Sequence, residues 1–373
     1  MRRLYLDHNA GCPLRESARR ELERRLGEPL GNPSSAHAEG RSARRVLEEA
    51  RERLAPLLGC RRDELVFTSG GTESNVTALG CAGDDRWIVH SPIEHPSILA
   101  TLARRGNVRA LPVDVEGHVD AGAVAEGGPA PALVSVGLAN HETGVIQDVA
   151  ALATAAHAAG AALHCDASQA FGKLPLSFRE LDADLMTLSS HKLGGPVGIG
   201  ALIVRRGLTL RPLLLGGEQE GGLRAGTEAA ALASAFAAAA EEATARLPVD
   251  GPMWARWTAR LRATLVAMEP SIRFNSPERG ALPNTLNASF RGRSGATLVQ
   301  RLDLEGVAVS HGSACASGAR RPSPVVLAAT RDEALARGAL RISVGPANTD
   351  EDVIEFPARL ARALADVAER ARV

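Results

Sequence analysis

The sequence predicts an α/β fold: a mainly parallel, seven-stranded sheet with helices on both faces, plus a smaller α+β domain. Between about residues 65 and 205, short apolar runs alternate with helical stretches, which is typical of a parallel sheet. The chain has 373 residues, more than one hydrophobic core usually holds, so a second domain is expected. Apolar residues make up 45% of the chain, which is enough to fill a sizeable core.

The elements of the predicted large domain follow from hydrophobic spacing. Helical spacing with interleaved Arg and Glu predicts two helices with solvated faces, at 14–26 and 40–58. The seven strand candidates are 64–69, 86–91, 107–113, 132–139, 161–167, 184–190 and 200–205. Helical runs lie between several of these strands, for example at 148–160, and a long alanine-rich helix is expected at about 227–247.

The sequence LPVDGP follows the alanine-rich helix and predicts a domain boundary. The elements expected beyond it are helices at 253–268, 296–304 and 350–371 and strands at 285–290, 307–311 and 340–344. We therefore expect a large domain at 14–250, with 1–13 and 251–373 forming the small domain.

Composition excludes several classes of protein. Acidic and basic residues number 43 each, so no net field favours nucleic acid or an anionic membrane. No apolar run is long enough for a signal peptide or a membrane span. The cysteines are odd in number and irregularly spaced, which argues against a disulfide framework and a metal site. They are Cys12, Cys60, Cys81, Cys165 and Cys315. A cytoplasmic protein with reduced thiols is expected.

Polar residues follow several of the predicted strands, at the edge where an open α/β sheet binds its ligands. Gly71 and Thr72 open a helix whose exposed amides suit a phosphate. The others are His95, His141, Asp166, Gln169, Ser189, His191 and Lys192. Each one alone is compatible with a structural role. Together, a phosphate cradle, an acid and a lysine at one edge indicate a pyridoxal phosphate site.

Lysine usage favours Lys192 as the amine. The chain has 43 basic side chains of Lys and Arg, but only Lys173 and Lys192 are lysines. Arginine stays protonated and cannot replace a lysine that must act as a nucleophile. Lys173 is the rival, and we expect it to lie beyond the site on a connecting segment.

Two further residues of the predicted small domain are candidates. Cys315 lies in the glycine-rich stretch SHGSACASG, and loops of this kind often carry reactive groups. The alternative is a small buried hydrophobe. Arg341 lies on an apolar strand, where it serves either a substrate carboxylate or a structural salt bridge.

The chain resembles the cysteine desulfurases, which are pyridoxal-phosphate enzymes of fold type I in the class V aminotransferase group. The resemblance runs nearly end to end. The matching motifs are DHNAGCP, GNPSSAH, FTSGGTESN, EHPS, NHETGVIQD, HCDASQAFGKLP, SSHKLGGPVGIGAL, LLLGGEQEGGLRAGTE, SHGSACASG and LRISVG. The resemblance implies a homodimer with the cofactor near the subunit interface.

By position, the resemblance implies roles around the cofactor. Lys192 is similar to the Schiff-base lysine, Asp166 to the partner of the pyridinium nitrogen and Gln169 to the donor to the ring hydroxyl oxygen. His95 resembles the histidine that stacks on the ring and relays protons. His141 stands where the family usually has an asparagine that contacts the ring oxygen.

The remaining implied roles concern phosphate and substrate. Thr72, Ser189 and His191 resemble phosphate ligands, and Thr227 resembles the phosphate ligand supplied by the other subunit. Asn32 and Arg341 resemble groups that hold the substrate carboxylate, and Cys315 resembles the nucleophile of the subgroup with a long GSAC loop. His311 replaces a usual serine, and Cys12 stands where threonine is common.

The resemblance implies that L-cysteine becomes L-alanine while its sulfur forms a persulfide on Cys315. That sulfur would serve iron–sulfur clusters or a thiolated product through an acceptor protein. Two alternatives stay open: a selenocysteine lyase or related C–S lyase, and a non-catalytic sulfur-carrier scaffold that kept the fold.

Overall fold

A computed structural model describes residues 2–312 and 321–370. In chain order its strands are β1 (Leu4–Tyr5), β2 (Leu65–Thr68), β3 (Trp87–His90), β4 (Val108–Ala110), β5 (Pro131–Gly137), β6 (Ala162–Asp166), β7 (Leu185–Ser189), β8 (Gly200–Val204), β9 (Arg273–Phe274), β10 (Thr285–Ser289), β11 (Val307–Ala308) and β12 (Ala339–Ser343). Its α-helices are α1 (Glu16–Leu26), α2 (Ala38–Leu57), α3 (Gly71–Leu79), α4 (Pro96–Leu102), α5 (Val149–Ala158), α6 (Ala230–Met268), α7 (Gly295–Leu304), α8 (Pro324–Thr330), α9 (Glu333–Gly338) and α10 (Asp350–Arg370).

The large sheet contains the seven strands expected from the sequence, and the predicted fold class is confirmed. Its order is β2-β8-β7-β6-β5-β3-β4. Strand β8 runs antiparallel to both of its neighbours, whereas the other adjacent pairs are parallel. The carboxyl ends of the parallel strands therefore meet at one edge, and the loops that leave that edge are placed close together.

Two neighbouring strands of the large sheet, β7 and β8, are buried on both faces. Residues of β7 and β8 are all buried, which explains why their sequences are continuous apolar runs without alternation. Helix α6 packs against α1 and α2 beside this sheet, and its alanines are small enough to allow close approach. The side chains of α5 and α6 share one core with the sheet.

Helix α6 departs from the sequence prediction. We expected a break at LPVDGP, but one helix of 39 residues runs from Ala230 to Met268 with Pro248 and Pro252 inside it. Each interior proline removes one backbone hydrogen bond and costs about 3 kcal/mol. The two ends of α6 are buried in different cores, Phe236 in one and Trp257 in the other, and this burial offsets the cost.

A second core supports the proposed small domain. It unites the second half of α6 with β10, β12, α7 and α10, and it includes Leu4 and Leu6 from the start of the chain. Strand β1 pairs in parallel with β11, and β10 lies between β12 and β9. These contacts support grouping residues 1–13 with 251–373, although the exact boundaries stay a prediction.

Two smaller observations complete the fold. The strand expected at 307–311 is shorter, because only Val307 and Ala308 pair as a strand and Ser310 makes a single bridge to Arg341. Among residues 2–312 and 321–370, no helix is both long enough and apolar enough to cross a membrane.

Candidate active site

A cavity of about 200 Å³ opens at the carboxyl edge of the large sheet, against the small domain. It brings together most of the residues that the sequence predicts for one site. Those residues are Gly71, Thr72, His95, His141, Asp166, Gln169, Ser189, His191, Lys192 and Arg341. The lining also contains residues that the prediction missed, including Asn9, Asn75, Glu94 and Ser168.

One end of the cavity suits an anion. Helix α3 begins there at Gly71, so its first backbone N–H groups lack partners within the helix. Ser189 Oγ lies 3.0 Å from His191 Nδ1 at the end of β7. Burial first, and then the nearby Lys192, lower the pKa of His191 to about 4, so its imidazole is neutral at physiological pH.

Asp166 ends β6 and is held in a fixed orientation. Its Oδ2 accepts a hydrogen bond from Asn75 Nδ2 at 2.8 Å, and its Oδ1 accepts one from the Ser168 backbone N–H at 2.9 Å. These bonds fix the carboxylate in the cavity wall. Neither donor is cationic, so a cationic ligand group would meet no competing salt bridge at this carboxylate among the described residues.

Lys192 meets the N-terminal segment on the floor of the cavity. Its Nζ donates to the backbone oxygen of Asn9 at 2.7 Å and to that of Ala10 at 3.0 Å. Gln169 Nε2 donates to the same Asn9 oxygen at 2.9 Å. The lysine amine and the glutamine amide are therefore positioned by one carbonyl group.

Two histidines pack together on the cavity wall. The rings of His95 and His141 meet edge to face, with their centroids 5.5 Å apart. His95 Nδ1 accepts a hydrogen bond from the Ser97 N–H at 3.1 Å, so neutral His95 carries its proton on Nε2. Burial lowers the pKa of both imidazoles, and His95, Arg341 and Lys192 lower that of His141 further.

Arg341 forms a structural salt bridge, one of the two roles that the sequence left open, and it keeps one donor that lacks a partner among the described residues. Its Nη2 forms a salt bridge to Asp7 Oδ1 at 2.6 Å, and its Nη1 donates to the His141 backbone oxygen at 2.9 Å. The side chain is only 1% exposed, yet its Nε has no hydrogen-bond partner among the described residues. A buried donor without a partner is costly, and a ligand carboxylate would satisfy it.

Lys173 lies on a connecting segment and does not line the cavity, as expected. It contacts two residues of the cavity floor from beneath, which was not predicted. Lys173 is 5% exposed, and its Nζ donates to Gln169 Oε1 at 2.7 Å and to Asn9 Oδ1 at 2.9 Å. The sequence could not reveal these contacts, because sequence distance from Asp166 says nothing about the fold of the turn that follows it.

Glu94 is a cavity residue that sequence reasoning missed, although it stands directly before His95 in the motif EHPS. Its Oε1 accepts a hydrogen bond from the Gly137 N–H at 2.7 Å. Burial, and secondarily the charge of Asp166, raise the pKa of Glu94 to about 8. The carboxyl group is therefore protonated and neutral at physiological pH.

Three predicted residues do not line this cavity. Asn32 is exposed, and its Oδ1 accepts a hydrogen bond from the Ser34 N–H at 2.9 Å in a local turn. Thr227 is exposed as well. Cys315 lies outside the described residues. The roles of all three stay predictions.

Comparisons with known proteins agree with this geometry. Residues 4–356 match the family model Aminotransferase class-V. A cysteine desulfurase of Cereibacter sphaeroides is 40% identical over 370 residues, covering 95% of this chain and 93% of the relative. The chain belongs to the cysteine desulfurase family.

Solved structures give the same result for this desulfurase. A NifS-like protein superposes with a TM-score of 0.90 at 33% identity, covering 97% of this chain and 99% of the other. A structure described as SspA in complex with cysteine has a TM-score of 0.79 at 30% identity, covering 93% of this chain and all of the other.

The cavity of this desulfurase fits pyridoxal phosphate, the cofactor general to the family. Within the described chain, Ser168 Oγ is buried without a hydrogen-bond partner, beside the start of α3. A Cβ atom at Gly71 would lie 3.2 Å from this hydroxyl, so glycine keeps the space open. Arg341 Nε is a second such donor at the other end of the cavity.

Glu94 gives this site a pH-dependent contribution to stability. The ordinary pKa of 4.5 is raised to about 8 in the folded chain, so between these values the folded chain keeps a proton that the unfolded chain releases. Wild-type protein should therefore lose stability relative to Glu94→Gln as the pH rises through this range. We expect a relative change of about 4 kcal/mol.

The measurement is urea unfolding of the cofactor-free protein from about pH 5 to about pH 8.5. Glu126→Gln, at an exposed position, is the control and should leave the curve unchanged. If the free energies of unfolding of wild type and Glu94→Gln differ by the same amount across this pH range, Glu94 is ionised throughout the range and the prediction is wrong.

Proposed function

We propose that the chain binds pyridoxal phosphate at Lys192, converts L-cysteine to L-alanine and transfers the sulfur to Cys315. The observation that carries the proposal is the placement of Lys192, Asp166 and Arg341 around one cavity. An amine, a carboxylate and a guanidinium in this arrangement match an aldehyde cofactor with a ring nitrogen and a substrate with a carboxylate.

The residues that would hold the cofactor come from separate elements. The N–H groups of Gly71 and Thr72, with Ser189 and His191, suit its phosphate, and Asp166 suits its ring nitrogen. When bound, pyridoxal phosphate supplies an aldehyde for an amine and a ring that accepts an electron pair. Lys192 supplies the amine in the cavity wall, and its Nζ donates to the backbone oxygens of Asn9 and Ala10.

Arg341 is the proposed anchor for the carboxylate of L-cysteine. Its Nε has no partner in the part of the chain that the structure describes, and its salt bridge to Asp7 fixes the guanidinium plane. The similar structure of SspA in complex with cysteine supports this substrate. Binding at Arg341 would orient the substrate amino group towards Lys192 and exclude water from the floor of the cavity.

His95 is the proposed proton carrier. Ser97 fixes its ring through Nδ1, so Nε2 is the nitrogen that exchanges a proton with a substrate atom. Burial lowers the pKa of His95, so a proton taken up by the imidazole is readily passed on. His141 packs against this ring and restricts its rotation.

Sulfur transfer is assigned to Cys315. Its thiolate attacks the substrate sulfur, an S–S bond forms and the C–S bond breaks. The electron pair of that bond stays on the carbon skeleton, which takes up a proton and leaves as L-alanine. Gly312 and Ser323 support this assignment, because they flank the segment that holds Cys315 and both lie beside Glu142. Ser323 Oγ donates to Glu142 Oε2 at 2.5 Å, and Glu142 follows the cavity residue His141.

The proposed partner on this chain's surface is a second copy. Leu213, Leu214 and Leu215 are consecutive exposed leucines, with Leu215 84% exposed, and contiguous exposed apolar residues are typical of interfaces. Thr227 lies on the same chain segment and outside its own cavity, as a residue donated to the partner's site would.

The sulfur acceptor is proposed to be a protein, either an iron–sulfur scaffold or an enzyme that makes a thiolated product. A cytoplasmic location is proposed as well. It is supported by Cys12, Cys60, Cys81 and Cys165, which are free thiols in the described chain.

Replacing the proposed nucleophile tests the sulfur route. Cys315→Ser should reduce alanine release from L-cysteine about 1,000-fold or more, because the attacking thiolate is lost. Cys12→Ser is the matched control, since Cys12 is half-buried near Lys173 and burial raises the pKa of its thiol. Its rate should stay within about threefold of wild type.

Mass spectrometry of the Cys315 peptide after reaction with L-cysteine is the second readout, and wild type should gain one sulfur atom. If Cys315→Ser releases alanine and sulfide at the wild-type rate, the persulfide route is wrong and a C–S lyase is supported. Alanine release from L-selenocysteine, compared with release from L-cysteine, distinguishes a selenocysteine lyase from a cysteine desulfurase.

Light scattering of the purified protein tests the dimer. Wild type should have the mass of two chains, and Leu215→Asp should shift the protein towards the mass of one, because a buried unpaired charge is costly in an interface. Val249→Asp, which is exposed on α6, is the control and should stay dimeric. A wild-type mass of one chain at micromolar concentration would contradict the proposal.

A further inference from the structure

Lys173 is a buried amine that the proposed chemistry does not use. Its Nζ donates to Gln169 Oε1 at 2.7 Å and to Asn9 Oδ1 at 2.9 Å. In the part of the chain that the structure describes, no carboxylate lies within salt-bridge distance of it. A buried lysine held only by amide oxygens is rare, since transfer of the ammonium from water is costly without a counter-charge.

Cationic neighbours make this position more costly still. Burial, and then the charge of Lys192, lower the pKa of Lys173 to about 7. The titratable and charged groups that face it from the surrounding elements are His8, Cys12, Arg15, Lys192 and Arg341. Because Lys173 and Lys192 repel each other when both carry a proton, their protonation is coupled.

The two acceptors of Lys173 lead directly to the floor of the cavity. Gln169 Oε1 faces Lys173, so its Nε2 is turned towards the Asn9 backbone oxygen. Lys192 donates to that same oxygen. Asn9 Oδ1 is likewise held by Lys173, together with Asn284 Nδ2 at 3.2 Å. Without Lys173, the Gln169 amide would be free to rotate. Asn9 Oδ1 would keep only one of the two side chains that donate to it.

We propose that Lys173 is a positioning residue for the cofactor: through Gln169 and Asn9 it fixes the floor on which Lys192 lies, and it places a second titratable amine behind that of Lys192. The inference rests on the proposed function, because it concerns binding at Lys192. It does not make Lys173 a catalytic residue, because its contacts are with protein groups rather than with the cavity space.

Two consequences separate this role from simple packing. Removing the amine frees the amide of Gln169, so the affinity for pyridoxal phosphate should fall about tenfold. Removing the charge favours protons on nearby nitrogen atoms. The pH midpoint of the yellow absorbance band of the loaded protein should therefore rise by about one unit. A loss of packing alone would lower stability without moving this midpoint.

The experiment compares wild type with Lys173→Met and Lys173→Gln by absorbance titration, first with pyridoxal phosphate and then with pH. Circular dichroism selects variants that fold. If the methionine variant does not fold, the glutamine variant carries the test, because it lacks the charge but keeps polar atoms. Arg15→Met is the matched control. It removes a nearby buried cation whose guanidinium is paired with Glu242 at 2.9 Å.

Each result has a defined meaning. A tenfold loss of affinity with a raised midpoint in the Lys173 variants, and neither change in Arg15→Met, supports the proposal. If the Lys173 variants match wild type in both the pH midpoint and the affinity for pyridoxal phosphate, the proposed role of Lys173 is wrong. The proposed function would not be affected by that result. Equal changes in Arg15→Met also overturn the proposed role of Lys173. A wild type that develops no yellow band overturns the proposed function, and this inference with it.

Discussion

The site depends on one buried asparagine whose hydrogen bonds join two parts of the molecule. The backbone N–H of Asn9 donates to Ser343 Oγ at 3.0 Å, and its Nδ2 donates to Thr285 Oγ1 at 2.8 Å, so Asn9 is fixed to strands β12 and β10. Its backbone oxygen and Oδ1 accept from Gln169, Lys192 and Lys173 on the side of the large sheet. Because buried polar groups must find partners, the N-terminal segment can take this position only when both sides are folded. The floor of the cavity is therefore a product of the association between the two cores.

The large sheet and helix α6 make that association possible. Parallel pairing brings Asp166 and Ser189 to the same edge, where α3 also begins. Helix α6 then passes from one core to the other without a break, which fixes the distance between the sheet edge and β12 with Arg341. Arg341 reaches back across this gap to the His141 backbone oxygen. A rigid connection of this kind lets residues far apart in sequence share a cavity of about 200 Å³.

Sequence reasoning succeeded where the signal is local or chemical. Apolar runs separated by helical stretches predicted every strand of the large sheet, and the rarity of lysine drew attention to Lys192, which lies in the cavity wall. It failed where tertiary contacts decide the outcome. The two prolines in α6 suggested a boundary, but burial of both helix ends outweighs their local cost. The contacts of Lys173 with Gln169 and Asn9 were not predicted, because nothing in QAFGKLP reveals that the turn folds under Gln169. Asn9 was missed because its hydrogen-bond partners lie more than a hundred residues away in sequence. Glu94 was missed because no sequence pattern encodes how deeply a side chain is buried.

The central claim is that Asn9 and Lys173 act as one unit beneath Lys192, and a double-mutant cycle tests it most directly. Dissociation constants for pyridoxal phosphate would be measured for wild type, Asn9→Ala, Lys173→Met and the double variant. If the two side chains form one network, the second substitution removes what the first has already disrupted. The account predicts a coupling free energy of about 1 kcal/mol or more. Losses that add to within about 0.3 kcal/mol would contradict the account, since they would mean that the two residues contribute independently.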